Sequence, residues 1–287
     1  MSSARILSSK KSWTIGVIYS DISLIGFEHP FFSHILQAFK SEVERAGYEI
    51  VMIVSKLGDR ELTYLDWCRN KKVDGVLIVM GNINNPNIIE VVESDIPTIS
   101  ADIVMNNLQS VISNDYQGVN LFINFAISKG MKRIGLVSGP LTARSFDTRL
   151  NAFRDIMQKK GLHIFDTDIV FAEGFGFNEG YAVGEVIASL SERPQIYLVM
   201  SDVIAFGVIR SLESHGIKVP DDIEIVGYDD IDFAKHFTPS LSTIRQDTDK
   251  IGRIAANQLM DMIENKPVKK QVITEIPVEL VHRKTTK

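Results

Sequence analysis

The sequence holds one cysteine, Cys68. A single thiol permits no internal disulfide and no cysteine-based zinc site, and it fits a reducing compartment, the cytoplasm. No apolar run approaches the roughly 18 residues of a membrane span. Residues 1–11 are polar and lack the apolar core of a secretory leader, so no membrane partner is expected. Basic excess is missing as well: 31 Lys and Arg stand against 36 Asp and Glu, a net charge of −5. A domain that grips DNA phosphates by itself is usually basic on one face, so these residues alone do not read as a DNA-binding module.

Catalytic signatures are also lacking. The six histidines, His29, His34, His163, His215, His236 and His282, show no metal-binding spacing. There is no Gly-x-Ser-x-Gly elbow and no phosphate loop. Gly174, Gly176 and Gly180 have the wrong spacing for a dinucleotide fingerprint. No catalytic residue, metal or cofactor is expected, and the chain does not read as an enzyme.

What is present points to a large α/β protein. At 287 residues the length fits two domains, and 45% hydrophobic residues supply two cores. Short runs rich in Val and Ile, at residues 14–19, 49–54, 73–79, 134–137, 169–171, 196–200 and 223–228, read as strands buried on both faces. Amphipathic helical patterns lie between them, several closed by Gly47, Gly130, Gly161 or Gly216. Alternating strands and helices imply parallel sheets with right-handed crossovers. The series runs twice, giving two Rossmann-like lobes. The polar segments 105–109 and 230–242 read as crossings between lobes. A helix over 247–265 and a strand over 272–278 then return to the first lobe and revisit the second.

Open parallel sheets bind ligands at the carboxyl ends of their strands. In the first lobe those ends are Ser20-Asp21, Met80-Gly81 and residues 100–102. In the second they are Ser138-Gly139, residues 173–175, 200–202 and 228–230. Asp229 follows a buried strand, where its carboxylate is read either as an acceptor for ligand hydroxyls or as a structural group. The neighbouring acids Asp221, Asp222, Asp230 and Asp232 read as caps and turns. Arg149 offers a planar fork suited to a hydroxyl pair, although a helical arginine is more often a surface residue. Phe175, between two glycines, is either a stacking face or a core residue, and Phe31 and Phe32 are open in the same way.

From Val219 onward the pattern sharpens. The stretch VPDDIEIVGYDD (219–230), followed by PSLSTIRQ (239–246), resembles the lactose-repressor/galactose-repressor (LacI/GalR) family of bacterial regulators. Ser201-Asp202 with Ala205 and Gly207, KRIGLVSGP (132–140), residues 14–20 with Pro30-Phe31-Phe32, Gly252-Arg253, and PVELVHRKTT (277–286) extend the resemblance over nearly the whole chain from Trp13. It implies a type I periplasmic-binding-protein-like fold with three crossovers between lobes. It also implies a homodimer and a small-molecule effector, a sugar or nucleobase-like compound, in the cleft. Ligand would shift the lobe angle, and operator DNA would be read through a helix-turn-helix headpiece that is not among these residues.

By the same resemblance Arg149 and Asp229 match effector-binding positions, Phe175 a stacking aromatic, Asp102 a polar cleft residue, and Phe31 or Phe32 a first-lobe contact. Ser201 stands where the family usually has asparagine and offers a hydroxyl in place of an amide. The expected division is a linker remnant at 1–12, a first lobe at 13–114 and 243–268, and a second at 115–242 and 269–287. A transporter's exported sugar-binding protein is the rival reading, with a sugar-modifying enzyme a distant third.

Overall fold

In the computed structural model, residues 11–19, 29–265 and 270–287 are described. Ser20-Asp21 and most of the expected linker remnant lie outside them.

The chain divides into two compact units, residues 1–113 with 247–276 and residues 114–246 with 277–287. It passes between them three times, after Ser113, Gln246 and Ile276. The expected fold class holds: two α/β units, each on a mainly parallel sheet.

The first unit contains β1 (Thr14–Tyr19), α1 (Pro30–Arg45), β2 (Glu49–Ile53), a small hairpin of β3 (Lys56–Leu57) and β4 (Arg60–Glu61), α2 (Tyr64–Lys71), β5 (Gly75–Met80), α3 (Pro86–Glu93), β6 (Thr98–Ala101) and β7 (Gln109–Ser113). With β13 (Val272–Ile276), from later in the chain, its six-stranded sheet has the order β13-β7-β6-β5-β1-β2 and is parallel throughout. The β-branched run of β1 is buried along nearly its whole length, as a central parallel strand requires. Helix α1 opens with Pro30 at a position where no N–H is needed. It buries Phe31, Phe32, Ile35, Phe39 and Val43 on one face.

The second unit contains α4 (Asp115–Ser128), β8 (Ile134–Ser138), α5 (Arg144–Lys159), β9 (Ile169–Phe171), α6 (Phe177–Ser189), β10 (Ile196–Val199), α7 (Asp202–Ser214), β11 (Glu224–Asp229) and β12 (Ser242–Arg245). Helix α8 (Thr248–Asn265) and β13 (Val272–Ile276) return to the first unit, and β14 (Glu279–Val281) closes the second. The second sheet has the order β14-β12-β11-β10-β8-β9, parallel except for β14 against β12. Helices α6 and α7 cross in very close contact. A Cβ on Gly207 would lie 2.1 Å from the Phe177 carbonyl oxygen, and one on Gly180 would lie 2.1 Å from that of Ile204. Gly180 therefore serves helix packing, not nucleotide binding.

The expected boundaries need correction. The strand foreseen over 272–278 ends at Ile276, before Pro277, and as β13 it adds to the first sheet beside β7, pairing Val272 with Gln109. Residues 242–245 form β12 against β11, so they belong to the second unit and the chain crosses later, after Gln246. The first crossing also follows β7 and does not fall within 105–109. A strand's own hydrophobic pattern states that it is buried, not which sheet it joins.

Candidate functional site

Asp229 is the last residue of β11, at the carboxyl end of the second sheet. Its φ is 124° and that of Asp230 is 58°. Asp102, just past β6 in the first unit, has φ 90°. Side chains are rarely held in this region. Each such residue costs about 1–3 kcal/mol, and such strain gathers at functional sites.

Asp229 is only 7% exposed. The Gln246 side-chain amide donates to its Oδ1 at 2.7 Å, and the Gln246 backbone N–H donates to its carbonyl at 3.3 Å. Burial pushes the Asp229 carboxyl up to about 7, against the opposing pull of the Arg149 charge, the Gln246 amide, the Asp202 backbone N–H and the Ser201 hydroxyl. Asp202, the first residue of α7, is fully buried nearby. It accepts from Thr243 Oγ1 at 2.6 Å and from the Ile231 N–H at 2.9 Å. Burial and the neighbouring Asp229 charge hold Asp202 well above the usual carboxylate range. Two such carboxyl groups resist being ionised together. Gly227 makes room for Asp202, since a Cβ there would lie 2.2 Å from Asp202 Oδ1. This close approach explains the glycine within β11.

Arg149 lies on the buried face of α5 and is 3% exposed. Its Nε donates to Asp115 Oδ1 at 2.8 Å, Nη1 to the Met200 carbonyl at 2.9 Å, and Nη2 to Gln246 Oε1 at 3.5 Å. The guanidinium lies over the Tyr228 ring, 3.5 Å from its centre. Burial opposes the charge, but Asp115, Tyr228 and Asp229 outweigh it, and the guanidinium is held above its ordinary pKa. Asp115 also accepts from Arg144 Nη2 at 3.1 Å.

Ser201 caps α7, its hydroxyl accepting from the Val203 N–H at 3.3 Å. Phe175 stacks on Phe146, with ring centres 5.6 Å apart and planes 24° apart, and the Arg149 guanidinium lies 6.0 Å from the Phe146 ring. The second unit thus brings Arg149, Asp229, Ser201 and Phe175 to one end of its sheet. Asp115, Asp202 and Gln246 join them, although sequence reading did not single them out as contacts. Asp115 is 34 positions from Arg149 and Gln246 is 97, with no local pattern connecting them.

The remaining candidates lie in the first unit. Phe31 and Phe32 are buried in its core, 5.0 Å apart and near-perpendicular, which corresponds to the core alternative. Asp102 is half-buried, and its N–H donates to the Val111 carbonyl at 3.1 Å. Asp230 is structural, paired with Arg245 and Arg283 at 2.7 Å each, and Asp222 accepts from the Lys218 N–H. Among the described residues no group of three or more His, Cys, Asp or Glu is placed to hold a metal ion, and no helix is long and apolar enough to cross a membrane.

Two α/β units, a chain that crosses between them three times, and polar groups at the strand ends define the bilobal class of periplasmic-binding-protein-like domains. The family of that description, the periplasmic binding protein-like domain, matches residues 123–286. More than half of the chain is covered, and the chain belongs to this family. The HTH-type transcriptional repressor PurR of Vibrio parahaemolyticus is 28% identical over 99% of this chain and 84% of its own. A LacI family transcriptional regulator from Enterococcus faecium, solved with bound ribose, shares the fold at TM-score 0.79 and 24% identity, over 95% of this chain and 98% of that one. The lac repressor dimer, solved bound to operator and an anti-inducer, shares it at TM-score 0.82 and 24% identity, over 99% and 97%. The chain is therefore similar over nearly its whole length to a transcriptional repressor, and it shares its fold with regulators of the LacI family.

Proposed function

We propose that this chain is the effector-sensing core of a LacI/GalR-type transcription regulator, and that Arg149 and Asp229 hold a small polar effector, a sugar. The observation that carries the reading is the meeting of one buried cation and one buried carboxyl group, Arg149 and Asp229, on a single bridging amide at the end of a parallel sheet. A buried donor fork beside a buried acceptor suits a ligand bearing adjacent hydroxyls, which accept from the one and donate to the other. Phe175 supplies an apolar face and Ser201 a hydroxyl beside them.

The regulator works in the cytoplasm as a homodimer and reaches operator DNA through a headpiece preceding this core. The ligand shifts a two-state equilibrium by its differential affinity for the two states, and by no more than that. The relative solved with bound ribose supports a sugar.

Calorimetry with a panel of sugars and nucleosides tests this. One compound binds the native chain, and Asp229→Ala weakens that binding about 10- to 100-fold, the loss of charged hydrogen bonds. Unchanged affinity in Asp229→Ala removes Asp229 from the site and overturns the reading.

A further inference from the structure

Asp229 and Asp230 are consecutive, and both hold a left-handed backbone, with φ of 124° and 58°. Neither is glycine, so contacts from the surrounding structure must keep the pair there. The turn carries Asp229, and whatever pins the turn also aims that carboxyl group.

The grip falls on Asp230. Its Oδ2 accepts from Arg245 Nε and its Oδ1 meets Arg283 Nη2, each at 2.7 Å. Asp230 and Arg283 are largely enclosed, at 9% and 16% side-chain exposure, whereas Arg245 is 47% exposed and also faces Glu279 at 3.6 Å. Solvent therefore screens the Arg283 contact least. Arg283 is itself held. Its Nη1 donates to the Leu241 carbonyl at 2.8 Å and its backbone N–H to Ser242 Oγ at 2.7 Å. Two residues on, Thr285 ties the starts of β11 and β12. Its hydroxyl donates to the Ile225 carbonyl at 2.7 Å and accepts from the Ser242 N–H at 2.8 Å, and its own carbonyl accepts from the Ile225 N–H at 3.0 Å. The segment after β14 is thus fixed at the starts of the two strands, and one arginine reaches from it to the turn that ends β11.

We infer that Arg283 is a positioning residue for the effector site: by gripping Asp230 from the segment after β14, it holds the Asp229–Asp230 turn in its left-handed conformation and so fixes where the Asp229 carboxyl group points. A group already held in its binding direction loses less freedom when it binds. That Asp229 receives an effector rests on the proposed function above; the hold on the turn rests on the contacts of Arg283.

Amide hydrogen exchange in the ligand-free chain tests the hold. The N–H groups of Ile231 and Gln246, bonded to Asp202 Oδ2 at 2.9 Å and to the Asp229 carbonyl at 3.3 Å, report on the turn. Those of Ala172 and Gln195, bonded to the Ser138 and Arg133 carbonyls, report on the rest of the sheet, and that of Ile225 reports on the Thr285 tie. Arg283→Met keeps the stem and removes the charge. The expected result is exchange about tenfold faster at Ile231 and Gln246, with Ala172, Gln195 and Ile225 unchanged. Asp230→Asn has the same effect, and the double variant adds nothing further, because both substitutions break one contact. Titration of the Asp229 carboxyl group by NMR then separates aim from charge in Arg283→Met. Loss of a cation alone raises the midpoint, whereas release of the turn into water lowers it from about 7 toward 3.8, and a fall is expected. A midpoint unchanged or raised, equal acceleration of all five amides, or additive effects of the two substitutions overturns the inference. If Arg283→Met does not fold, Arg283→Gln is read in the same way. A released turn together with unaltered effector affinity in Asp229→Ala keeps the hold and discards the effector reading. An unmoved turn together with weakened binding in Asp229→Ala does the reverse.

Discussion

The guanidinium of Arg149 lies 3.5 Å from the centre of the Tyr228 ring while its Nε donates to Asp115 at 2.8 Å. A buried aromatic face and a buried carboxylate thus fix the plane and direction of the fork. Both members of the ion pair are almost fully enclosed, at 4% and 2% side-chain exposure. Removing one partner of such a pair leaves an uncompensated charge in a poorly solvated place. Asp115→Ala therefore destabilises the chain by about 3–5 kcal/mol in urea unfolding. A loss below about 1 kcal/mol would show that water reaches Arg149 and screens it.

The paired acids make stability depend on pH in an unusual direction. Asp229 has an ordinary value of 3.8 and is pushed up to about 7 in the fold, chiefly by burial. Between these values the folded chain keeps a proton that the unfolded chain releases. Its stability then falls as pH rises from about 4 to about 7, and the contribution of Asp229 is level above that. Asp202, Arg149, Gln246 and Ser201 are the charged and polar groups that set this balance. Denaturation midpoints measured from pH 4.5 to 8 decline for the native chain, and the decline is smaller in Asp229→Asn. Equal slopes in the two proteins would place the titration elsewhere.

The same ionisation links to binding. If the effector's hydroxyls donate to an ionised Asp229, affinity strengthens as pH passes upward through about 7. Calorimetry at pH 6 and pH 8 reads this directly, with proton release on binding at the lower pH. Affinity that is flat or falls over this range contradicts an ionised acceptor.

The crossing of α6 and α7 depends on the absence of side chains at Gly180 and Gly207. A methyl group at Gly207 meets the Phe177 carbonyl at 2.1 Å, a backbone atom that cannot swing aside. Gly207→Ala forces the helices apart and costs about 1–3 kcal/mol, read from the urea midpoint. A neutral substitution would mean that the helices slide past each other without loss.

Much of this was legible in the sequence because parallel strands write a plain signature. The Val- and Ile-rich runs of β1, β10 and β11 gave the two sheets, and the ends of those runs pointed to Asp229. The network around it was not legible. Asp115 sits in the first turn of α4 and reads as an ordinary helix-start acid, and Gln246 follows β12 with no pattern of its own. Their importance comes from contacts made across 34 and 97 positions. Strand β13 misled for a related reason: as an edge strand it is largely exposed, and its pairing with β7 is a property of backbone register, not of side chains.

The most direct measurement is a crystal structure of the chain with the panel compound that binds it. The account predicts ligand oxygens within about 2.6–3.2 Å of both an Asp229 carboxyl oxygen and an Arg149 Nη atom. A ligand seated elsewhere, out of reach of both Arg149 and Asp229, would contradict it.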